Sequence, residues 1–177
     1  MNTLSLCAFA GSGQVLKVQS MLHECSAHND QENAEHQAVA AIGVAAITLG
    51  EAVGKEMAQR TMDHLLHYSE LPIKRAVPLA LALLHVSDPD YAAVDQLSRL
   101  SHHEDDQVAQ NAIMGLGLLA AGTNNSRVAG LLRGLGEFYG KDAGHMFCVR
   151  IAQGLLHMGK VRGTWCFLGN LVERLHS

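Results

Sequence analysis

NAIMGLGLLAAGTNNSRVAGLLR, residues 111–133, carries the pattern that decides the fold: an almost uncharged apolar run closed by Gly122, a short polar turn, and then an amphipathic segment. The closing motif recurs along the chain. CAFAG (Cys7 to Gly11), AITLG (Ala46 to Gly50), LLHVS (Leu83 to Ser87), LLAAG (Leu118 to Gly122) and LLHMG (Leu155 to Gly159) end at residues 11, 50, 87, 122 and 159, in steps of 39, 37, 35 and 37. A period of this size marks repeated supersecondary units that bury their apolar faces against one another. Glycine at the end of an apolar helix adopts the left-handed conformation without a Cβ clash, and Ser87-Asp88-Pro89 is expected to stop its helix by turn and N-cap chemistry. Gly11, Gly50, Ser87, Gly122 and Gly159 are therefore the five expected structural turns.

Within each unit the two helices differ in kind. Segments 38–49, 75–86, 108–121 and 147–158 are apolar nearly all round, as helices packed on both sides must be. The partner helices are amphipathic. In 55–68, Met57, Thr61, Leu65 and Tyr68 fall at i, i+4, i+8 and i+11 and are expected to be the buried stripe, while Lys55, Glu56, Gln59, Arg60 and Asp63 form the polar face. Polar connections are expected at 26–37, 69–74, 102–107 and 141–145, the first of them long and mobile. A hairpin of this kind cannot bury its apolar helix alone, so the expected fold is all-α: an α-solenoid of stacked helical hairpins with an inner and an outer layer. Residues 1–160 make up about four full units and a partial first one. Residues 161–177 are a divergent C-terminal end in which Trp165, Phe167 and Leu171 need cover, so the chain is expected to be a slice of something longer.

Composition narrows the function. At 177 residues and 19.0 kDa the chain builds a core without staples. Cys7, Cys25, Cys148 and Cys166 lie 18, 123 and 18 residues apart with no CxxC pair, which favours reduced thiols and a cytoplasmic and nuclear protein. Thirteen Lys+Arg against seventeen Asp+Glu give a net charge of -4, without the basic footprint that neutralises phosphates, so no nucleic-acid partner is expected. The longest weakly polar run, residues 38–50, falls short of the ~20 residues that span a bilayer, and the first residues lack a basic stretch followed by an apolar one. No membrane partner is expected either.

Eleven histidines raise the question of a metal. His64 and His67 share a helical face at i, i+3 but lack a third ligand at suitable spacing. His23-Glu24 and His103-Glu104 repeat a dipeptide that, placed four times on helical repeats, builds the two-metal site of HEAT-type iron hydroxylases. The corresponding ends of other units are His67-Tyr68 and Glu137-Phe138. A metal-dependent repeat enzyme is thus the alternative reading, and no catalytic residue, metal ligand or cofactor is assigned. The cysteines sit in apolar contexts (LCAF, FCVR, WCFL) or at a helix end (HECS), where the usual role is that of a small hydrophobe. The glycines of GLGLLAAGTNN follow no strand and precede no GK[ST], so Gly115 and Gly117 are read as sites of close helix packing.

RAVPLALALLHVSDP (75–89), the opening stretch, and RIAQGLLHMGK (150–160) resemble proteasome/cyclosome repeats, those of the 26S proteasome non-ATPase regulatory subunit 2 family, over roughly residues 4–160. GTNN (122–125) and AQGLLHMGK (152–160) are the most specific parts, and the pattern fades after Lys160. The resemblance implies a non-catalytic scaffold of the proteasome regulatory particle base. In that family the repeats close into a toroid that docks on the ATPase ring. Its outer helices face ubiquitin, the ubiquitin-like domains of shuttle receptors and a deubiquitinase. The acidic residues of the family's principal ubiquitin site have no counterpart from Met1 onward, so ubiquitin-like partners are expected to bind weakly or not at all. The partner rim is assigned to the first outer helix, residues 14–24, at Gln14, Lys17 and Ser20, because stacked repeats align their outer faces into one wall.

Overall fold

The computed structural model describes residues 10–26, 34–49 and 52–158, and every regular element among them is an α-helix. In chain order these are α1 (Val15–Ser26), α2 (Ala34–Thr48), α3 (Ala52–Tyr68), α4 (Leu71–Leu84), α5 (Tyr91–Leu100), α6 (Asp106–Leu119), α7 (Ser126–Phe138) and α8 (Ala143–Leu156). Helices α2, α4, α6 and α8 stack on one another in that order as the inner layer, and α1, α3, α5 and α7 form the outer layer. The all-α solenoid expected from the repeat is what these residues build.

The hairpins pair differently from the expectation. Helices α3, α5 and α7 each pack more extensively on the inner helix that follows than on the one before. The turn residues explain why, since they hydrogen-bond forward into the next unit. Gly11 (φ 69°) and Gly13 (φ 61°) donate their N–H groups to the carbonyls of Ala46 and Ile47 at 2.8 and 3.1 Å. Three units later, Gly122 (φ 69°) and Asn124 (φ 50°) donate to Leu155 and Leu156 at 3.0 and 3.4 Å. Each left-handed turn thereby satisfies the last carbonyls of the next inner helix, groups that have no partner within their own helix. Ser87 (φ 58°) makes the first of these bonds, to Leu118, but Pro89 has no N–H for the second. Asp90 is the N-cap of α5, and its side chain makes no cap bond. Gly50 and Gly159 lie outside the described residues.

Inner helices begin two to four residues before the apolar pattern does, and α6 and α8 are capped there by aspartates. Asp105 accepts from the N–H groups of Gln107 and Val108 at the start of α6, Asp142 accepts from Gly144 at the start of α8, and Pro72 sits in the first turn of α4. The connections are correspondingly shorter than read. Of the first, residues 27–33 lie outside the described residues. Asp105 also joins two units, receiving the Arg75 guanidinium at 2.8 Å, and this pair holds the Asp105 carboxyl below its ordinary range. Asp105→Ala, which loses both cap and bridge, is expected to lower Tm more than Asp105→Asn, which keeps a cap acceptor; thermal unfolding compares them.

Two apolar clusters meet at α4. Ile73, Val77, Ala80 and Leu84 pack towards α1–α3 with Met21, Val44, Ile47 and Met62. Leu81 and Ala82 pack towards α5–α8 with Leu97, Ile113, Leu116, Leu132 and Leu156. The outer stripe of α3 is rotated by one residue from the expected one. Ala58, Met62 and Leu65 are buried, whereas Met57 is 64% and Tyr68 81% exposed. A small Ala58 on the inward side admits the helix close to its neighbours, and the larger Met57 and Tyr68 stay outside.

Close approach has its own repeat. Gly43-x-Ala45, Ala80-x-Ala82, Gly115-x-Gly117 and Ala152-x-Gly154 hold equivalent positions in the four inner helices. The second small residue of one helix meets the first of the next. A Cβ on Gly115 would lie 3.2 Å from the Ala82 Cβ, and one on Gly117 only 2.6 Å from the Ala152 Cα. Gly115 and Gly117 are packing glycines, as read.

Candidate functional site

With the inner layer committed to the core, the surface available to a partner is the outer layer, and side chains spaced by one repeat tie its helices together. Lys55 on α3 bridges to Asp88 beyond α4 at 2.9 Å. Asp63 accepts from Gln96, joining α3 to α5, and the Arg127 guanidinium lies 4.1 Å over the Tyr91 ring, joining α7 to α5. Tyr139 donates to the Ser101 carbonyl at 2.8 Å. These links span 33, 33, 36 and 38 residues, so the outer wall repeats with the same period as the core.

The three rim residues stand on this wall at its first helix. Gln14, Lys17 and Ser20 are all exposed. The Gln14 carbonyl accepts from the N–H groups of Lys17 and Val18 at 3.0 and 3.1 Å, so Gln14 opens the first turn of α1. Lys17 lies one turn from both Gln14 and Ser20. Val15 and Leu16 beside them are 66% and 81% exposed, apolar side chains that the sequence reading passed over. Their signal was available: Val18, Met21 and Leu22 already supply the inward stripe of α1, which leaves Val15 and Leu16 without a core role. Farther along the wall the exposed groups are aromatic. Tyr68 lies against His64 with ring centroids 4.8 Å apart, and Phe138, 68% exposed, meets His102 edge-on at 5.1 Å.

The histidines singled out in the sequence have local partners. His67 Nδ1 pairs with the Asp63 carbonyl at 2.8 Å, and His103 Nδ1 accepts the Asp105 N–H at 3.0 Å. No three His, Cys, Asp or Glu side chains converge as metal ligands among the described residues. Cys148 is half-buried, and burial pushes its thiol up, away from the thiolate that a nucleophile needs. Cys7 and Cys166 lie outside the described residues.

Among the described residues His145 and His85 are the buried histidines, and neither was foreseen. His145 stacks on Tyr139 with centroids 4.2 Å apart and bonds Asp142 at 2.5 Å, which holds the Asp142 carboxyl down. His85 is 4% exposed and neither ring nitrogen has a partner. The repeat accounts for this. His157 occupies the equivalent place and pairs with Asn124 at 2.6 Å, whereas the residue that stands to His85 as Asn124 stands to His157 is Ala52. Burial first, and then the Lys55 ammonium, hold His85 below its ordinary 6.5, against the opposing pull of Asp90 and Asp88. The unfolded chain takes up this proton as pH falls through 6.5 while the folded chain does not, so stability is expected to decline below that pH. Melting curves between neutral and mildly acidic pH check this, with His85→Leu flattening the dependence.

No protein-family model matches the chain. Among curated proteins it is 56% identical over 158 residues to the 26S proteasome non-ATPase regulatory subunit 2 of Dictyostelium discoideum, covering 89% of this chain and 17% of that protein. It is 51% identical over 158 residues to homolog A of that subunit in Arabidopsis thaliana, covering 89% and 18%. With the 26S proteasome regulatory subunit rpn1 of Schizosaccharomyces pombe the figures are 48% over 161 residues, 89% and 18%. The chain spans about a sixth of the length of these relatives, all of which are named as regulatory subunits. Over the matched segment the chain is thus homologous to proteins named 26S proteasome non-ATPase regulatory subunit 2 or rpn1.

Proposed function

We propose that the chain is a non-catalytic scaffold segment of the proteasome regulatory particle base, acting in the cytoplasm and nucleus in ubiquitin-dependent protein degradation. The observation that carries this reading is identity of about half over nearly the whole chain with proteasome regulatory subunits. The architecture supports it. Inner helices hold the fold, and a cross-linked outer wall is left to meet other subunits, the ATPase ring foremost. Gln14, Lys17 and Ser20, with Val15 and Leu16 beside them, form a mixed polar and apolar rim suited to a protein contact. A rim contributes less than the buried anchors of an interface, so ubiquitin and ubiquitin-like domains bind weakly.

Size-exclusion chromatography and pull-down with purified base subunits test the reading: co-elution is expected, and is expected to weaken in Lys17→Glu with Leu16→Asp. Absence of co-elution from a folded chain would count against it, as would stoichiometric iron in the purified protein. For the weaker partners, an NMR titration with ubiquitin and a shuttle-receptor ubiquitin-like domain is expected to give small, unsaturated shifts around α1. Tight binding mapped beyond Lys55 would mean that the site lies in other repeats.

A further inference from the structure

The third place of the closing motif is filled along the inner layer by Thr48, His85, Ala120 and His157 in turn. Three of these bury no unpaired group. The Thr48 hydroxyl donates to the Val44 and Ala45 carbonyls of its own helix at 2.8 and 3.3 Å, Ala120 has no polar side chain, and His157 pairs with Asn124. His85 buries two ring nitrogens, each without a partner. A buried polar group left in this way calls for a reason.

The turn that follows His85 is also weakly held. Ser87 reaches the Leu118 carbonyl at 3.5 Å, where the matching bond from Gly11 is 2.8 Å and that from Gly122 is 3.0 Å, and Pro89 offers no second donor. The C-cap bond from the His85 N–H to the Ala82 carbonyl is 3.3 Å, and the Asp90 side chain makes no cap bond to α5. The side-chain tie across the turn is the surface pair of Lys55 with Asp88, at 2.9 Å. This turn lies where the two apolar clusters meet, since α4 belongs to both.

A proton on His85 upsets that arrangement. With the turn closed, the imidazolium would be held in the core facing the Lys55 ammonium of α3, and the last turns of α2 and α6, the inner helices on either side of α4, bring it no ionisable side chain. The carboxylates that attract it, Asp88 and Asp90, are exposed and lie three and five residues on. To carry its charge to them or to water the ring has to leave the core, and the end of α4 has to unwind with it. Lys55 holds the Asp88 carboxyl below its ordinary range, so Asp88 stays charged in mild acid while the histidine titrates.

We propose that residues 85–90 form an acid-released latch where the two clusters meet, opening at the end of α4 when His85 takes up a proton while α6 and α8 stay folded. Because the open turn binds a proton that the closed turn refuses, its population rises by up to about tenfold for each pH unit below 6.5. Hydrogen exchange of the full chain between about pH 7.5 and 5.5, expressed as protection factors so that the intrinsic exchange rate cancels, reads this opening directly. Protection at residues 85–94 is expected to fall several-fold across that range, with the far-ultraviolet circular dichroism retained and residues 108–119 far better protected throughout. His85→Thr and His85→Ala, which place there the residues found at 48 and 120, are each expected to remove the fall. A fall of the same size in both variants would overturn the proposal. So would equal protection factors at 85–94 and 108–119, because the turn would then open only with the whole chain.

Discussion

Gly117→Val is expected to destabilise the protein by about 3 kcal/mol, at the upper end of what overpacking costs in a closed core. A Cβ there would sit 2.6 Å from the Ala152 Cα and 2.7 Å from its Cβ. The obstructing atoms belong to the backbone and the first side-chain carbon of α8, so no rotamer change relieves the contact; α6 and α8 have to separate. For a chain of this size the loss corresponds to roughly 6–12 °C in Tm. Gly134→Ala is the matched control. A Cβ at Gly134 meets nothing within 4 Å, and replacing an exposed helical glycine by alanine gains up to about 1 kcal/mol of helix propensity. Thermal unfolding of the two variants should therefore move in opposite directions, and a Gly117→Val protein as stable as the parent would mean that the inner helices do not approach as described.

Leu81→Asp or Leu116→Asp is expected to abolish folding at ordinary temperature. Leu81 is 1% and Leu116 0% exposed, both within the cluster that joins α4 to α8, and an unpaired carboxylate placed there costs several kcal/mol or has to be neutralised. Against a total stability of roughly 5–15 kcal/mol this removes the folded state or most of it. Glu56→Ala on the outer face is expected to change stability by no more than about 0.5 kcal/mol, since the Glu56–Arg60 pair is exposed on both sides. Far-ultraviolet circular dichroism at 25 °C separates the two outcomes. Comparable melting curves would reverse the assignment of layers.

The inner layer was legible because its helices are apolar around most of their circumference, a pattern that survives small errors in phase. The outer helices bury only a narrow stripe, so one residue of rotation exchanges Met57 for Ala58, and a single sequence prefers the larger apolar side chain. That preference misled the reading of α3. Leu118 shows the same limit from inside: it lies between buried Gly117 and buried Leu119, yet is itself only half-buried, at the margin of the cluster. The turns were legible at Gly11 and Gly122, where φ of 69° suits glycine, but their hydrogen bonds run to carbonyls more than thirty residues ahead. Local pattern does not contain that partner choice, which is why the hairpins were paired the other way. The rim at Gln14, Lys17 and Ser20 was placed by position in the repeat. Val15 and Leu16 were passed over although Val18, Met21 and Leu22 already fill the inward stripe of α1.

Hydrogen exchange of the full chain, alone and with purified base subunits of the proteasome regulatory particle, tests the central claim that inner helices hold the fold while outer helices meet the partner. The slowest amides of the free chain are expected in α4 and α6, each packed between two inner helices, with faster exchange in α1, α3, α5 and α7. On binding, added protection is expected along the outer helices, beginning at α1, with the inner helices unchanged. Protection gained on the inner helices with the outer ones unaffected, or no change at all in a folded chain, would contradict the account.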